Sequence, residues 1–244
     1  MRVWVTRSEP GATRLATHLG ELGYECLRAP LIAIEATDET PPSGGFEHVI
    51  FLSEHAVSHA LGRGLAAGER AQWYAIGPAT AAALHQAQSA SADADVDIVG
   101  RLLTPSETTS EGLLALPSLA AINGQRLLLV AGEDGRDTLL RELQQRGARV
   151  DRWCVYRRTL IESQMLAPQP EDACVASSAM VLEALTNKWL AAGGELSAPL
   201  CVPTQRVARV AQDLGWRQPV VSNGPTPAAV AAALAGLRVD SSGT

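Results

Sequence analysis

RVWVTRSEPGATRLATHLGELGYECL, residues 2–27, and RLLLVAGEDGRDTLLRELQQRGARVDRW, residues 126–153, are two passes through one pattern. Each opens on a short apolar run, Val3–Thr6 in the first and Arg126–Val130 in the second. A polar loop follows, then an amphipathic stretch, Thr13–Leu22 or Thr138–Arg146, that predicts a helix. Gly23 and Gly147 stand just past those stretches, where a glycine can take the left-handed turn that ends a helix. A second apolar run then begins, Tyr24–Leu27 or Val150–Val155. These runs are continuous rather than alternating, which suits strands of a parallel sheet covered on both faces.

The same correspondence extends outward. Strands are predicted at His48–Leu52, Trp73–Ile76, Val96–Val99, Ala173–Ala176, Leu200–Val202 and Pro219–Val221. His48–Leu52 matches Ala173–Ala176, Trp73–Ile76 matches Leu200–Val202, and Val96–Val99 matches Pro219–Val221, at an offset of about 125 positions. A period of half the chain means two copies of a small domain, not a solenoid. The 244 residues suffice for two domains of roughly 100–120 residues each. Alternation of strand and helix makes each copy a doubly wound α/β structure with a parallel sheet.

In such sheets ligands sit beyond the carboxyl ends of the strands. The loops there carry Thr6 and Arg7, Ser53 with Glu54 and His55, Gly77 to Thr80, Gly132 to Arg136, Ser177 and Ser178, and Thr204 to Arg206. Most of these loops open a helix, whose first N–H groups attract carboxylates and phosphates. Hydroxyl side chains dominate, and no histidine and acid are placed to activate one as a nucleophile. The rims therefore suit holding an anionic ligand, while each hydroxyl also reads as a helix cap. Tyr156 follows a strand and could give a proton or hydrogen bond, or simply pack at the domain junction.

Composition removes other classes. Apolar residues make up 46% and charged residues 19%, ordinary for a soluble domain, and no apolar run nears the ~20 residues of a membrane span. Arg2 and Arg7 interrupt the amino terminus, so no signal peptide is read and a cytoplasmic protein is expected. A net charge of −6 argues against nucleic acid. Cys26, Cys154, Cys174 and Cys201 form no CxxC pair and read as buried thiols. The one lysine, Lys188, has no glycine-rich loop before it and reads as a surface charge. Gly132–Asp137 lacks the third glycine of a dinucleotide loop, and His55 and His59 lack a further metal ligand and read as surface side chains. Neither a metal nor any other cofactor is expected. Residues 239–244 read as a disordered tail.

Taken in order, VWVTRSEP at 3–10, FLSEHAV at 51–57, AIGPATA at 75–81, TSEGLL at 109–114, GEDGRD at 132–137, VYRR at 155–158 and PTPAA at 225–229 resemble the uroporphyrinogen-III synthase family. The resemblance covers nearly the whole chain, and VYRR and TSEGL are its most telling pieces. It implies two flavodoxin-like domains joined by a two-stranded linker. The first would comprise residues 1–34 and 160–240, the second 38–153, with linker strands at 35–37 and 154–159. The site implied is the cleft between them. The substrate implied is hydroxymethylbilane, an octacarboxylate that loses water and closes with ring D inverted, without a cofactor. By the same resemblance Tyr156 is the candidate proton donor. Thr6, Arg7, Ser53, Gly77, Thr80, Gly132, Arg136, Ser177, Ser178 and Thr226 are the candidate binding residues. Hydroxymethylbilane synthase would hand over the substrate, and the enzyme would be a monomer without membrane or nucleic-acid partners. The chain departs from the family at Val207, where a hydroxyl is often found nearby, and at His55, where asparagine or arginine is often seen. A two-lobed small-molecule sensor shares the duplicated plan, and a sugar-phosphate isomerase or glycosyltransferase would want an acid–base pair that Glu54 and Glu133 do not supply.

Overall fold

The computed structural model describes residues 1–65, 67–68, 70–90, 98–135, 137–162 and 165–240. In chain order the elements are β1 (Arg2–Val5), α1 (Gly11–Glu21), β2 (Glu25–Arg28), β3 (Ile32–Ala36), β4 (His48–Phe51), α2 (Glu54–Ala60), β5 (Gln72–Ala75), α3 (Pro78–Ala90), β6 (Leu102–Leu103), α4 (Ser110–Leu114), β7 (Arg126–Gly132), α5 (Thr138–Gln145), β8 (Arg149–Leu160), β9 (Asp172–Val175), α6 (Ala179–Ala191), β10 (Leu200–Val202), α7 (Gln205–Asp213), β11 (Pro219–Val221) and α8 (Pro227–Asp240). The contacts divide the chain into two compact units, Met1–Ala33 with Thr159–Thr244, and Ile34–Arg158.

The first unit is built on a sheet ordered β11-β10-β9-β1-β2, and every pairing in it is parallel. The second is built on β3-β8-β7-β4-β5-β6, with parallel pairing from β8 to β6. At the other edge, Leu31 accepts from Ile161 and Thr37 donates to Val155, so β3 runs antiparallel to β8. Matching β1, β2, β9, β10 and β11 to β7, β8, β4, β5 and β6 superimposes the two orders, as the repeat requires. The first order is that of a flavodoxin-like sheet, whose ligand site lies where the connections reverse. That reversal falls between β1 and β9 in one unit and between β7 and β4 in the other.

The strands form as predicted because their side chains are buried on both faces. β4 and β9 have no exposed residue, and β7 is buried from Leu127 to Gly132. Gly23 and Gly147 hold φ of 79° and 85°, the left-handed stops that the sequence marks. Four differences from expectation stand out. α1 starts at Gly11, two residues early, because Ser8, Pro10 and Glu9 supply acceptors to its first turn. β8 runs unbroken through both the strand expected at Val150–Val155 and the linker strand expected at 154–159. Of the strand expected at Val96–Val99, residues 96 and 97 lie outside the described residues and Val99–Arg101 is a short 3-10 turn. The pairing strand is the two-residue β6. Residues 239 and 240 continue α8, whereas 241–244 lie outside the described residues.

Candidate active site

In the second unit, β4 ends into Ser53 and β7 ends at Gly132, the two sides of its reversal point. Ser53 caps α2, its Oγ accepting from the Ala56 N–H at 3.0 Å. The same hydroxyl donates to the Tyr156 hydroxyl at 3.1 Å. Tyr156 arrives there through an irregularity in the ladder. Ala131 pairs with Cys154 and Gly132 with Tyr156, so Val155 is the extra residue of a bulge. Bulges re-aim side chains, and this one lays the phenol over Gly132. A Cβ on Gly132 would stand 2.6 Å from the ring, so glycine is required by the approach.

Tyr156 retains only 2% exposure. His55 meets its ring edge-on at 5.6 Å and His59 lies at 6.1 Å. Arg158, two positions along the same face of β8, donates to the phenol oxygen at 3.0 Å and places its guanidinium carbon 5.3 Å from the ring centre. Its other edge lies 4.0 Å from Asp134. Burial lowers the pKa of His59, and the nearby Arg63 lowers it further, so this imidazole is neutral at pH 7. His55 and His59 are thus half-buried packing partners of Tyr156, not the surface side chains expected.

The other expected residues of this unit lie on neighbouring loops. Gly77 leads into α3 and makes room for the Thr108 side chain, while Thr80 is buried in the first turn of α3. Thr109 caps α4 by accepting from Gly112 N–H at 2.9 Å. Arg136 lies outside the described residues.

In the first unit, Thr6 is fully buried and donates to the Val175 carbonyl at 2.7 Å, fastening β1 to β9 at the reversal point. Its hydroxyl therefore shapes the rim from within. Arg7 bonds the Pro225 carbonyl at 3.0 Å, with Gly11 leaving space for its guanidinium. Ser178, Thr204 and Thr226 accept from main-chain N–H groups three residues on, capping α6 and α7 and the first turn of α8. Ser177 is not a cap. It joins Arg7, Ser222 and Pro225 around a small pocket. A larger cavity of about 300 Å³, beside Gln169, Trp189 and Glu195, lies at the amino ends of β9 and β10, the end of the sheet that does not bind ligands in such folds.

Cys174 and Cys201 are buried, and burial pushes the Cys201 thiol up to about 11. Cys26 and Cys154 are only half-buried, and burial raises both. None is poised as a thiolate. Among the described residues, no group of three His, Cys, Asp or Glu side chains could hold a metal ion, and no helix is long and apolar enough to cross a membrane.

A family model described as uroporphyrinogen-III synthase HemD matches residues 13–232. The chain belongs to the uroporphyrinogen-III synthase family. It is 30% identical over 239 residues to the uroporphyrinogen-III synthase of Salmonella typhimurium, covering 89% of this chain and 93% of that one. The Proteus mirabilis enzyme is 31% identical over 210 residues, 78% of this chain and all of that one. Among solved structures, the uroporphyrinogen-III synthetase of Helicobacter pylori aligns over 97% of this chain and 98% of its own, with a TM-score of 0.65 at 15% identity. A mutant Thermus thermophilus uroporphyrinogen III synthase aligns over 98% and 97%, with a TM-score of 0.56 at 20% identity. These structures share the fold. Against this family the sensor and isomerase readings fall away.

Sequence reading named Tyr156 and Ser53 separately, without the hydrogen bond between them and without Arg158 as the partner of Tyr156. The signal was present, since residues two apart on a strand share a face.

Proposed function

We propose that this chain cyclises hydroxymethylbilane to uroporphyrinogen III, with loss of water and inversion of ring D. The family match over residues 13–232 carries this reading. The reacting carbons belong to the substrate, so the protein supplies orientation and charge stabilisation and needs no cofactor. Ring D must be held where its substituted carbon meets the azafulvene left by departing water, which gives a spiro intermediate that reopens and closes inverted. Fixing one conformer of a flexible chain is catalysis by orientation. Arg7, Ser177, Ser178 and Thr226 of the first unit, with Ser53 and Arg136 of the second, are the groups we assign to holding the carboxylates, while the buried Gly77, Thr80 and Gly132 shape the loops of the second unit. Thr6 acts through the rim it fastens. Tyr156 is the acid for the leaving hydroxyl, supported by its two donors, whose hydrogen bonds strengthen as charge grows on the oxygen.

Unassisted, the bilane closes without inversion, which favours direct transfer from hydroxymethylbilane synthase. In line with the family resemblance, we take the enzyme to act as a cytoplasmic monomer. The test is product identity. Purified protein given freshly prepared hydroxymethylbilane should yield, after oxidation, the type III porphyrin. Type I porphyrin alone would overturn the assignment.

A further inference from the structure

Tyr156 is buried, yet the reading above asks it to protonate a group on a bound ligand. Its hydroxyl touches two polar side chains, Arg158 and Ser53. Arginine stays charged and cannot pass on a proton. Ser53 can, and it is half-exposed at the carboxyl end of β4, with its Oγ 3.1 Å from the phenol oxygen. Its position is fixed, because the Ala56 N–H holds the oxygen at 3.0 Å. We propose that Ser53 is the residue that touches the leaving hydroxyl and relays the Tyr156 proton to it. This rests on Tyr156 being the acid.

The step balances. The carbon–oxygen bond of the hydroxymethyl group breaks with its electron pair going to oxygen. The Ser53 proton passes to that oxygen, which leaves as water, and the Tyr156 proton passes to Ser53. The phenolate that remains is held by the Arg158 guanidinium at 3.0 Å, with its charge beside the ring face. The pyrrole carbon that loses its hydrogen on ring closure returns one proton to Tyr156. Each hydroxyl rotates about its C–O bond, so donor and acceptor exchange without any heavy atom moving.

Two replacements separate the relay from the helix cap. Asparagine caps helices as well as serine does but has no hydroxyl to relay. Threonine keeps both. Ser53→Asn should melt close to the parent yet lose about a hundredfold in kcat, the scale of a lost acid. Ser53→Thr should keep most of kcat. Adding Tyr156→Phe to Ser53→Asn should cost nothing more, since both interrupt one path. The idea is overturned if Ser53→Asn keeps kcat, if Ser53→Thr falls as far, or if the two losses multiply. Full activity in Tyr156→Phe alone would instead remove Tyr156 as the acid, and the relay with it, whatever Ser53 does. Parent enzyme assayed in mixtures of light and heavy water gives an answer that needs no variant. Two protons in flight bend the plot of kcat against deuterium fraction, and a straight or flat plot sinks the relay.

Discussion

Gly132 shows how one missing carbon shapes the site. It ends β7 opposite Tyr156, and the phenol ring occupies the place where any side chain would go. Gly132→Ala must push the ring or the bulge aside, and the nearest atoms are those of a ring already packed by His55, His59 and Arg158. Overpacking of this kind costs about 1–3 kcal/mol, so the variant should still fold. The hydrogen bonds at 3.1 and 3.0 Å will not survive the shift. We expect kcat to drop at least tenfold while the melting temperature falls by only several degrees. Normal turnover would show that the Tyr156 hydroxyl need not stay where it is. The loop was legible in the sequence as a polar rim after a strand, but the reason for its glycine was not. Gly132 reads like the start of a nucleotide loop until the bulge shows that Tyr156 fills the space above it.

At the scale of elements, the amino end of the first sheet is fastened by a buried ion pair. Arg2 on β1 makes two bonds to Asp172 on β9, at 2.8 and 2.7 Å, and Trp4 Nε1 adds a third at 2.8 Å. Trp4 in turn meets Trp189 edge-on at 5.9 Å, and Trp189 lies 6.3 Å from Trp216. All three indole N–H groups are satisfied, by Asp172, the Glu195 carbonyl and Thr186, so the cluster gains aromatic burial without stranded donors. Burial alone would raise the Asp172 carboxyl, but the bonds from Arg2, the Gln169 N–H and Trp4 outweigh it and hold the group below the ordinary value. A carboxyl depressed in the fold stabilises it above the unfolded value, about 4, and loses that contribution as pH falls through the folded value. Asp172→Asn leaves Arg2 without its counter-charge and should cost about 3 kcal/mol at pH 7. Urea unfolding should show that gap shrink below about pH 4. A gap that stays constant with pH would mean the carboxyl's charge is not what matters. None of this network was read from the sequence. Arg2 and Asp172 look like ordinary strand-end charges until the order β9-β1 brings them together across 170 positions. The helices were plainer, because each cap and each stop glycine acts on the helix end directly beside it in the sequence.

At the scale of the molecule, the repeat was the most informative signal, because matching strand orders follow from matching sequence order once connections keep one hand. What the repeat could not locate was its weakest member. β6 has two residues and lies a few positions past the stretch that aligns with β11, since an edge strand needs little apolar length. The repeat also implies separable cores. The second unit is one continuous segment, with Phe51, Trp73, Val130 and Trp153 buried on one face of its sheet and Ile50, Tyr74, Leu127 and Leu129 on the other. A unit with its own core can in principle fold alone. A fragment of residues 31–161, which keeps both outermost bonds between β3 and β8, should therefore fold by itself. Far-ultraviolet circular dichroism should show a single cooperative melt, and the amides of β4 and β7 should exchange slowest, as central strands do. A fragment that stays unfolded would show that the second sheet draws part of its stability from the first unit. The interrupted segments 1–33 and 159–244 would then be the framework on which it forms.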